Sequence, residues 1–206
     1  VGTGGLAGSL GALSAAVINN GALIFNRSDA LTYTGAFSGT GNLTVATGGL
    51  TLNGGASYSG ATVLSATATP TSINYNFNVP PSTSGFSGKG TVSIAPAANS
   101  SFSSAFTANY SFANTLTGLT LGSSSNTADI TLNNDLIIAG PISVYGGKIS
   151  TNANLTSTGS GTGVLLKGSG DVLVAASKTI QTKNGNITLW ADSDANGGFV
   201  LVREGV

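Results

Sequence analysis

The local group of residues whose composition best suits a ligand site is the segment Asp192-Ser193-Asp194-Ala195-Asn196-Gly197. Asp192, Asp194 and Asn196 place oxygen ligands at alternate positions before a glycine, as in the first half of calcium-binding loops of the D-x-D-x-N-G type. The second half does not fit, because Arg203 stands where a bidentate glutamate belongs and Glu204 follows one residue late. The sequence leaves two interpretations open, a plain corner loop and a weak Ca²⁺ site.

Catalytic chemistry has little support in the composition. The chain contains no histidine and no cysteine, which removes Ser-His and Cys-His nucleophiles and thiolate metal sites. The remaining acids are scattered, and we interpret them as turn and corner residues: they are Asp29, Asp129, Asp135, Asp171 and Glu204. We therefore predict that the chain is not an enzyme. A glycan-active enzyme that uses carboxylates is kept as a remote alternative.

Aromatic residues concentrate in the middle of the chain and form a second candidate site. The prolines of residues 66–115 interrupt the regular pattern, since proline cannot pair within a central strand ladder. One interpretation is a run of longer coils whose aromatics fill a wider core. The other is a protruding excursion that binds a partner. The predicted partner surface of that second interpretation consists of Tyr75, Phe77, Phe102, Phe106 and Tyr110.

Short strands with alternating side chains surround both candidate sites. Leu43 and Val45 share one side of a strand, and Leu50 and Leu52 share one side of the next strand. Strands this short cannot remove four aliphatic side chains from water by themselves, so similar turns must stack above and below them. The pattern predicts an all-β chain folded as a parallel β-helix (β-solenoid) of about 20 residues per turn.

Composition agrees with that prediction. Among 206 residues there are 31 glycines, which disfavour helices, while 40% are hydrophobic, which favours a packed fold over disorder. A helical spacing of Leu6, Leu10 and Leu13 is the exception, and the neighbouring glycines weigh against a helix there. Only 7% of residues are charged and the net charge is zero, so the sequence predicts no nucleic-acid partner.

The pattern divides the chain into three parts. Residues 1–65 and 116–206 are predicted to form regular coils, and residues 66–115 are predicted to be an irregular insert or widened coils. In the last part the leading strand residues Ile130, Ile149 and Val172 are 19 and 23 positions apart (149 − 130 and 172 − 149), which suits one coil each. The absence of methionine favours a fragment of a longer chain. No membrane span is predicted, since no run of 18 apolar residues occurs.

The order of motifs in residues 19–62 resembles the autotransporter-associated β-strand repeat. The matching phrases are Asn19-Asn20-Gly21, Phe25-Asn26-Arg27-Ser28-Asp29, Gly39-Thr40-Gly41-Asn42-Leu43-Thr44, Gly49-Leu50-Thr51-Leu52-Asn53-Gly54 and Tyr58-Ser59-Gly60-Ala61-Thr62. Residues 139–147 and 185–194 resemble repeats of filamentous-haemagglutinin-like bacterial adhesins. These resemblances imply that the parallel β-helix is right-handed. They also imply a secreted protein of type V secretion, carried on the bacterial cell surface and associated with the outer membrane.

Three functions remain as expectations from the sequence. The first is a structural and adhesive segment of a surface adhesin or autotransporter passenger, whose partner is a glycan or protein on a host or neighbouring cell. The second is a self-assembling extracellular fibre or matrix subunit, a homopolymer joined end to end through open strand edges. The third is the glycan-active enzyme. No cofactor is expected beyond the possible Ca²⁺ of the loop at Asp192.

Overall fold

Alternating side chains and glycine corners yield a chain made of short strands. The structure is a computed structural model that describes residues 2–3, 5, 12–65 and 70–204. Leu6 and Leu10 of the possible helical turn lie outside these described residues. Within them there are strands and no helix, and hence no helix long and apolar enough to cross a membrane.

The strands are β1 (Val17–Ile18), β2 (Ala22–Tyr33), β3 (Phe37–Ser38), β4 (Asn42–Leu52), β5 (Thr62–Ser65), β6 (Ser72–Asn76), β7 (Gly85–Lys89), β8 (Thr91–Ala95), β9 (Phe106–Ala108), β10 (Ser111–Phe112), β11 (Gly118–Leu121), β12 (Ile130–Leu132), β13 (Leu136–Ile138), β14 (Ile142–Gly146), β15 (Ile149–Thr151), β16 (Leu155–Ser160), β17 (Val164–Gly168), β18 (Val172–Val174), β19 (Ile180–Lys183), β20 (Ile187–Trp190) and β21 (Val200–Val202).

The strands stack in parallel, and each pairs with strands one coil away. The predicted fold class is thereby confirmed, as a parallel β-solenoid of about 7 turns. One face runs through all the coils and is called the central face here. It consists of residues 30–33 of β2 and 49–52 of β4, followed by β6, β8, β11, β14, β17 and β20. A second face contains β9, β12, β15, β18 and β21, and a third contains β13, β16 and β19.

Two inward columns of the central face form much of the core. The first column is Leu31, Leu50, Ile73, Val92, Leu119, Ile142, Val164 and Ile187. The second is Tyr33, Leu52, Tyr75, Ile94, Leu121, Val144, Leu166 and Leu189. All are buried except Leu31, Ile187 and Leu189, which lie in the first and last strands of the face. Each coil therefore removes the aliphatic side chains of the adjacent coils from water.

The residues between these columns point outward and are mostly polar. In register they are Thr32, Thr51, Asn74, Ser93, Thr120, Ser143, Leu165 and Thr188. Because the side-chain period of a strand is two, a one-residue slip would exchange this polar column with the core columns. The alternation in the sequence consequently fixes the register of the central face.

Coil length varies around the predicted value of about 20 residues. A corner hydrogen bond from the Ala61 amide to Asn42 joins positions 19 apart in the sequence. A similar bond from the Phe199 amide to Asp171 joins positions 28 apart. Strands β18 and β21 nevertheless pair in parallel and in register across this longer coil. The difference lies in the corners, whose lengths change while the strands keep their register.

The irregular middle part continues the same ladders. Strand β6 pairs with β4 on one side and with β8 on the other, and β8 then pairs with β11. The coil that joins β8 to β11 is long, since the Thr115 hydroxyl donates to the Gly88 carbonyl across 27 positions of sequence. The described residues of 66–115 therefore continue the solenoid in longer coils, and the prolines among them lie in the corners. Ala68 and Thr69, beside the first proline, lie outside the described residues.

Polar side chains at the corners link one coil to the next. The Asn42 side-chain oxygen accepts a hydrogen bond from the Ala61 amide at 2.9 Å. Further along, Asp135 accepts from the amide of Asn154 at 2.8 Å, and Asn154 accepts from the amide of Thr179 at 3.0 Å. Glycine is needed where coils approach closely, since a Cβ atom at Gly140 would overlap the Thr117 carbonyl oxygen.

The stacked core makes a prediction about stability. Ile142 is fully buried between Leu119 and Val164 of the adjacent coils. We expect Ile142→Ala to lower the free energy of unfolding by about 2–5 kcal/mol, because it removes buried surface and leaves a cavity. The matched control is Ser143→Ala on the outward column, expected to change it by less than about 0.5 kcal/mol. Urea unfolding followed by circular dichroism measures both, and equal effects would contradict the assigned register.

Candidate functional site

The aromatic residues of the middle part lie in the core. Their exposed fractions are 1% for Tyr75, 4% for Phe102, 4% for Phe106 and 9% for Tyr110, and Phe77 is partly buried against the core. The prediction that they form a partner surface is therefore wrong for these four side chains. Strand alternation directs Tyr75 inward, and the longer coils provide the space that the rings fill.

Phe86 lies at the centre of this aromatic core. Its ring centroid is 5.8 Å from that of Tyr75, 5.4 Å from Tyr110 and 5.3 Å from Phe112. The first two pairs meet edge to face, and the Phe112 ring is stacked. Both arrangements are favourable because they avoid direct overlap of the electron-rich faces. The aromatics therefore stabilise the widened coils where regular aliphatic columns would leave space.

Four hydroxyl groups form a buried cluster beside these rings. The Tyr58 hydroxyl contacts Thr62 Oγ1 at 2.6 Å and also hydrogen-bonds the Tyr75 hydroxyl. Thr62 Oγ1 lies 3.1 Å from the Tyr75 hydroxyl and 3.2 Å from Thr83 Oγ1. Thr83 in turn donates to the Gly60 carbonyl at 2.7 Å. The cluster satisfies polar groups that would otherwise be unpaired in the core.

Burial decides the protonation of this cluster. Removal from water raises the pKa of Tyr58 and raises that of Tyr75 well above its usual value, since both phenolates would be poorly solvated. Burial is also the main cause that raises the pKa of Tyr110, whose hydroxyl donates to the Pro81 carbonyl at 2.6 Å. The hydroxyls therefore stay neutral and act in packing and hydrogen bonding.

Asp129, Asp135 and Asp171 lie at corners, as the sequence indicated, whereas Asp29 lies within strand β2 and pairs with Arg27 at 2.9 Å. Asp129 accepts from the Lys148 amide at 2.8 Å, and Asp171 accepts from the Phe199 amide at 3.3 Å. Hydrogen bonds from the backbone and side chain of Asn154 lower the pKa of Asp135. Over residues 12–65 and 70–204, no three histidine, cysteine or acidic side chains come close enough together to hold a metal ion. The corner aspartates tie adjacent coils together.

The predicted calcium loop is closed by its own hydrogen bonds. Asp192 accepts from the Gly197 amide at 2.6 Å, and Asp194 accepts from the amide of Asn196 at 3.2 Å and from its side chain at 3.0 Å. Ala195 has a φ of 62° and Gly197 a φ of 104°, which gives the segment a tight turn. The arrangement is that of a corner loop. A weak Ca²⁺ site at Asp192, Asp194 and Asn196 stays a prediction.

A groove on the outer surface is a feature that the sequence did not reveal. It has a volume of about 190 Å³ and is lined by residues 123–127 and by Tyr145, Lys167, Ser169, Ser193 and Asp194. These residues belong to four successive coils, since β11, β14, β17 and β20 pair in that order. The groove combines hydroxyl groups, one ammonium group, one carboxylate and an aromatic ring.

A ladder of three long side chains begins in the groove with Tyr145 and Lys167 and ends at Trp190, which does not line the groove. Tyr145 is the register partner of Lys167, and Lys167 is the partner of Trp190. The Lys167 ammonium lies 4.1 Å from the centroid of the Trp190 ring, and that ring is 49% exposed. Trp190 is therefore an outward residue of the central face. The available signal was that Lys167 follows Tyr145, and Trp190 follows Lys167, by close to one coil of sequence.

Comparison with known proteins adds no relative: no family model, curated protein or solved structure matches this chain. The resemblance to autotransporter and haemagglutinin-like repeats therefore stays a proposal.

The buried hydroxyl cluster predicts how stability depends on pH. A tyrosine whose folded pKa is raised stabilises the fold below its unfolded pKa of about 10, and this stabilisation is lost as the pH rises further. We expect the free energy of unfolding to fall as the pH rises above about 10. In Tyr75→Phe the slope of this fall should be smaller than in the wild type by up to about 1.4 kcal/mol per pH unit.

Two further measurements complete this test. At neutral pH, Tyr75→Phe should lower the free energy of unfolding by about 1–3 kcal/mol, because Tyr58 and Thr62 lose a partner. Phe102→Leu is the control, since it disturbs the aromatic core without removing a titrating group. It should lower the stability at every pH and keep the wild-type slope. A Tyr75→Phe variant with the wild-type slope would contradict the role of this hydroxyl.

Proposed function

We propose that this chain is a structural and adhesive segment of a secreted bacterial protein displayed on the cell surface, and that it acts without catalysis. In this function the solenoid is a stalk that carries binding surfaces away from the cell. The observation that supports it most directly is the pair of inward columns that continue through every strand of the central face. Such a core gives a rod whose length grows with each coil.

The outer surface suits contact with water and with other surfaces. The outward column of the central face is composed of threonine, serine and asparagine, apart from Leu165. With 7% charged residues and zero net charge, the chain has no strong field that would attract or repel one particular sign of charge. An adhesive role through hydrogen bonds and aromatic contacts is consistent with this surface.

The repeat-like phrases coincide with successive coils, which supports the proposed resemblance. Leu43 and Thr62, which belong to two of those phrases, are register partners in paired strands. Gly41 and Gly60 stand at the same corner one coil apart, where a Cβ atom at Gly60 would overlap the Gly41 carbonyl oxygen. The motif order thus corresponds to the requirements of a repeated corner, as expected for an autotransporter-type passenger.

An end-to-end fibre is the second candidate, and it would use the apolar side chains of the last described coil. In the last described coil, Phe199 is 54% exposed, Val200 43% and Val202 57%. A strand with an unpaired edge and apolar side chains is a template for another strand. In a longer chain that strand would be the next coil, and in a fibre it would come from a second copy of the chain.

Localisation and binding of the chain test the proposal together. Antibodies raised against the purified chain should label intact producing cells without permeabilisation, and beads coated with the chain should attach to cell monolayers or to neighbouring bacteria. Beads coated with heat-denatured chain are the control. Labelling that requires permeabilisation, or equal attachment of both kinds of bead, would contradict the proposal.

Sedimentation separates the stalk from the fibre. A stalk segment should sediment as one species over a wide concentration range. A ladder of polymers that grows with concentration and disappears in Val202→Lys would favour the fibre instead, because a charge on the terminal strand opposes edge pairing.

A further inference from the structure

The outer groove is held open by a buried asparagine. Asn126 is 3% exposed and lies at the base of the loop formed by residues 123–127. Its side-chain nitrogen donates to the Tyr145 carbonyl at 2.9 Å, and its side-chain oxygen accepts from the Phe102 amide at 3.1 Å. One side chain thereby ties this wall of the groove to the coils before and after it. The wall is positioned before any ligand arrives, which lowers the entropic cost of binding.

The groove offers hydroxyl groups that the fold does not use. The side-chain hydroxyls of Ser124, Ser169 and Ser193 have no hydrogen-bond partner among the described residues. A hydroxyl group donates one hydrogen bond and accepts two, so a ligand that bears hydroxyls can pair with it in either direction. Ser169 and Ser193 lie on adjacent coils, and Ser124 lies two coils before Ser169. Such a set of hydroxyl groups suits a ligand with many hydroxyl groups of its own.

The charges in the groove balance each other. Lys167 contributes one ammonium group and Asp194 one carboxylate, and both line the same groove. Asp194 is partly engaged with Asn196, while the Lys167 ammonium lies over the Trp190 ring. A charged ligand would meet one attractive and one repulsive group. A neutral ligand can hydrogen-bond to both.

Aromatic rings supply the apolar part of the surface. Tyr145 lines the groove, and Trp190 lies beyond Lys167 in the same ladder. Large aromatic rings with a polar edge contact ligands that are apolar on one side and polar on the other. A pyranose ring is such a ligand, since its C–H groups form an apolar face and its hydroxyls surround the edge.

We propose that this groove binds a neutral oligosaccharide, with the sugar hydroxyls paired to the serine side chains, Lys167 and Asp194 and a sugar ring against Tyr145. Three coil-to-coil steps of about 4.8 Å give the groove a length of about 14 Å, which accommodates a short oligosaccharide in an extended form. The inference rests on the proposed adhesive function and names the site and the class of partner for it.

Titration with defined trisaccharides tests the proposal. The probes are maltotriose, cellotriose and N,N′,N″-triacetylchitotriose, which are neutral, and trigalacturonate, which is acidic. Binding to the purified chain is measured by calorimetry and by the fluorescence of Trp190, the single tryptophan of the chain. We expect at least one neutral probe to bind at a single site, to change this fluorescence, and to keep its affinity when the salt concentration is raised.

Matched variants locate the site. Ser169→Tyr fills the groove and should weaken binding at least tenfold, whereas Ser150→Tyr, an outward position on the second face, should leave it unchanged. Lys167→Ala should also weaken binding, and Lys148→Ala, at an exposed position outside the groove, should not. Circular dichroism of each variant checks folding. If a tyrosine variant fails to fold, the comparison of Lys167→Ala with Lys148→Ala tests the site instead.

Three results would overturn the proposal. They are no binding of the neutral probes, binding of trigalacturonate alone, and equal binding by the groove variants and their controls. The bead and antibody experiments have a separate readout. Attachment that persists without trisaccharide binding would reject the groove and retain the adhesive stalk, whereas loss of both would reject the stalk as well.

Discussion

The structure depends on one constraint: its apolar side chains leave water only when another coil lies directly above or below them. No coil has enough residues to enclose its own leucines and isoleucines, so burial arises between coils. Parallel pairing follows, because each strand must present the same alternation to its neighbours. The free energy of the fold is therefore distributed over many similar interfaces, as in other repeat architectures.

Polar groups inside the solenoid obey the same constraint. Thr62 occupies an inward position between Leu43 and Phe86 of the adjacent coils, where an aliphatic residue would otherwise stand. Its hydroxyl is paired with those of Tyr58, Tyr75 and Thr83. No buried side-chain nitrogen or oxygen in the described part of the chain lacks a partner. The widened coils thus exchange a uniform aliphatic column for rings and paired hydroxyls without leaving polar atoms unsatisfied.

Sequence reasoning predicted those parts of the structure that depend on local alternation. Strands such as Ile142–Gly146 and the step between Ile130 and Ile149 follow from the side-chain period and from the spacing of turn residues. The burial of Tyr75 and Phe102 could not be predicted in this way. The proline-containing corners vary in length, so the spacing of residues does not give the register of the middle coils. With the register unknown, an aromatic in an irregular segment could not be assigned to the core or to the surface.

The groove could not be predicted from the sequence either, because it also depends on the register of the coils. Its residues come from four successive coils, and no local motif joins them. Tyr145 and Lys167 become neighbours only through the pairing of β14 with β17. The calcium-like loop, by contrast, was visible because its residues are contiguous, and the structure places it at a corner closed by Asp192 and Gly197. Contiguous motifs are visible in a sequence, while sites assembled by stacking require the register.

Distances between spin labels along the outward column test the stacking most directly. The chain has no cysteine, so pairs of cysteines introduced at Thr51, Thr120 and Thr188 can carry nitroxide labels without background. Thr51 and Thr120 are three coils apart, and Thr120 and Thr188 are another three. At about 4.8 Å per coil, the two short pairs should each be separated by about 14 Å and the long pair by about 29 Å. Distances that do not add in this way would contradict a single stack of parallel coils.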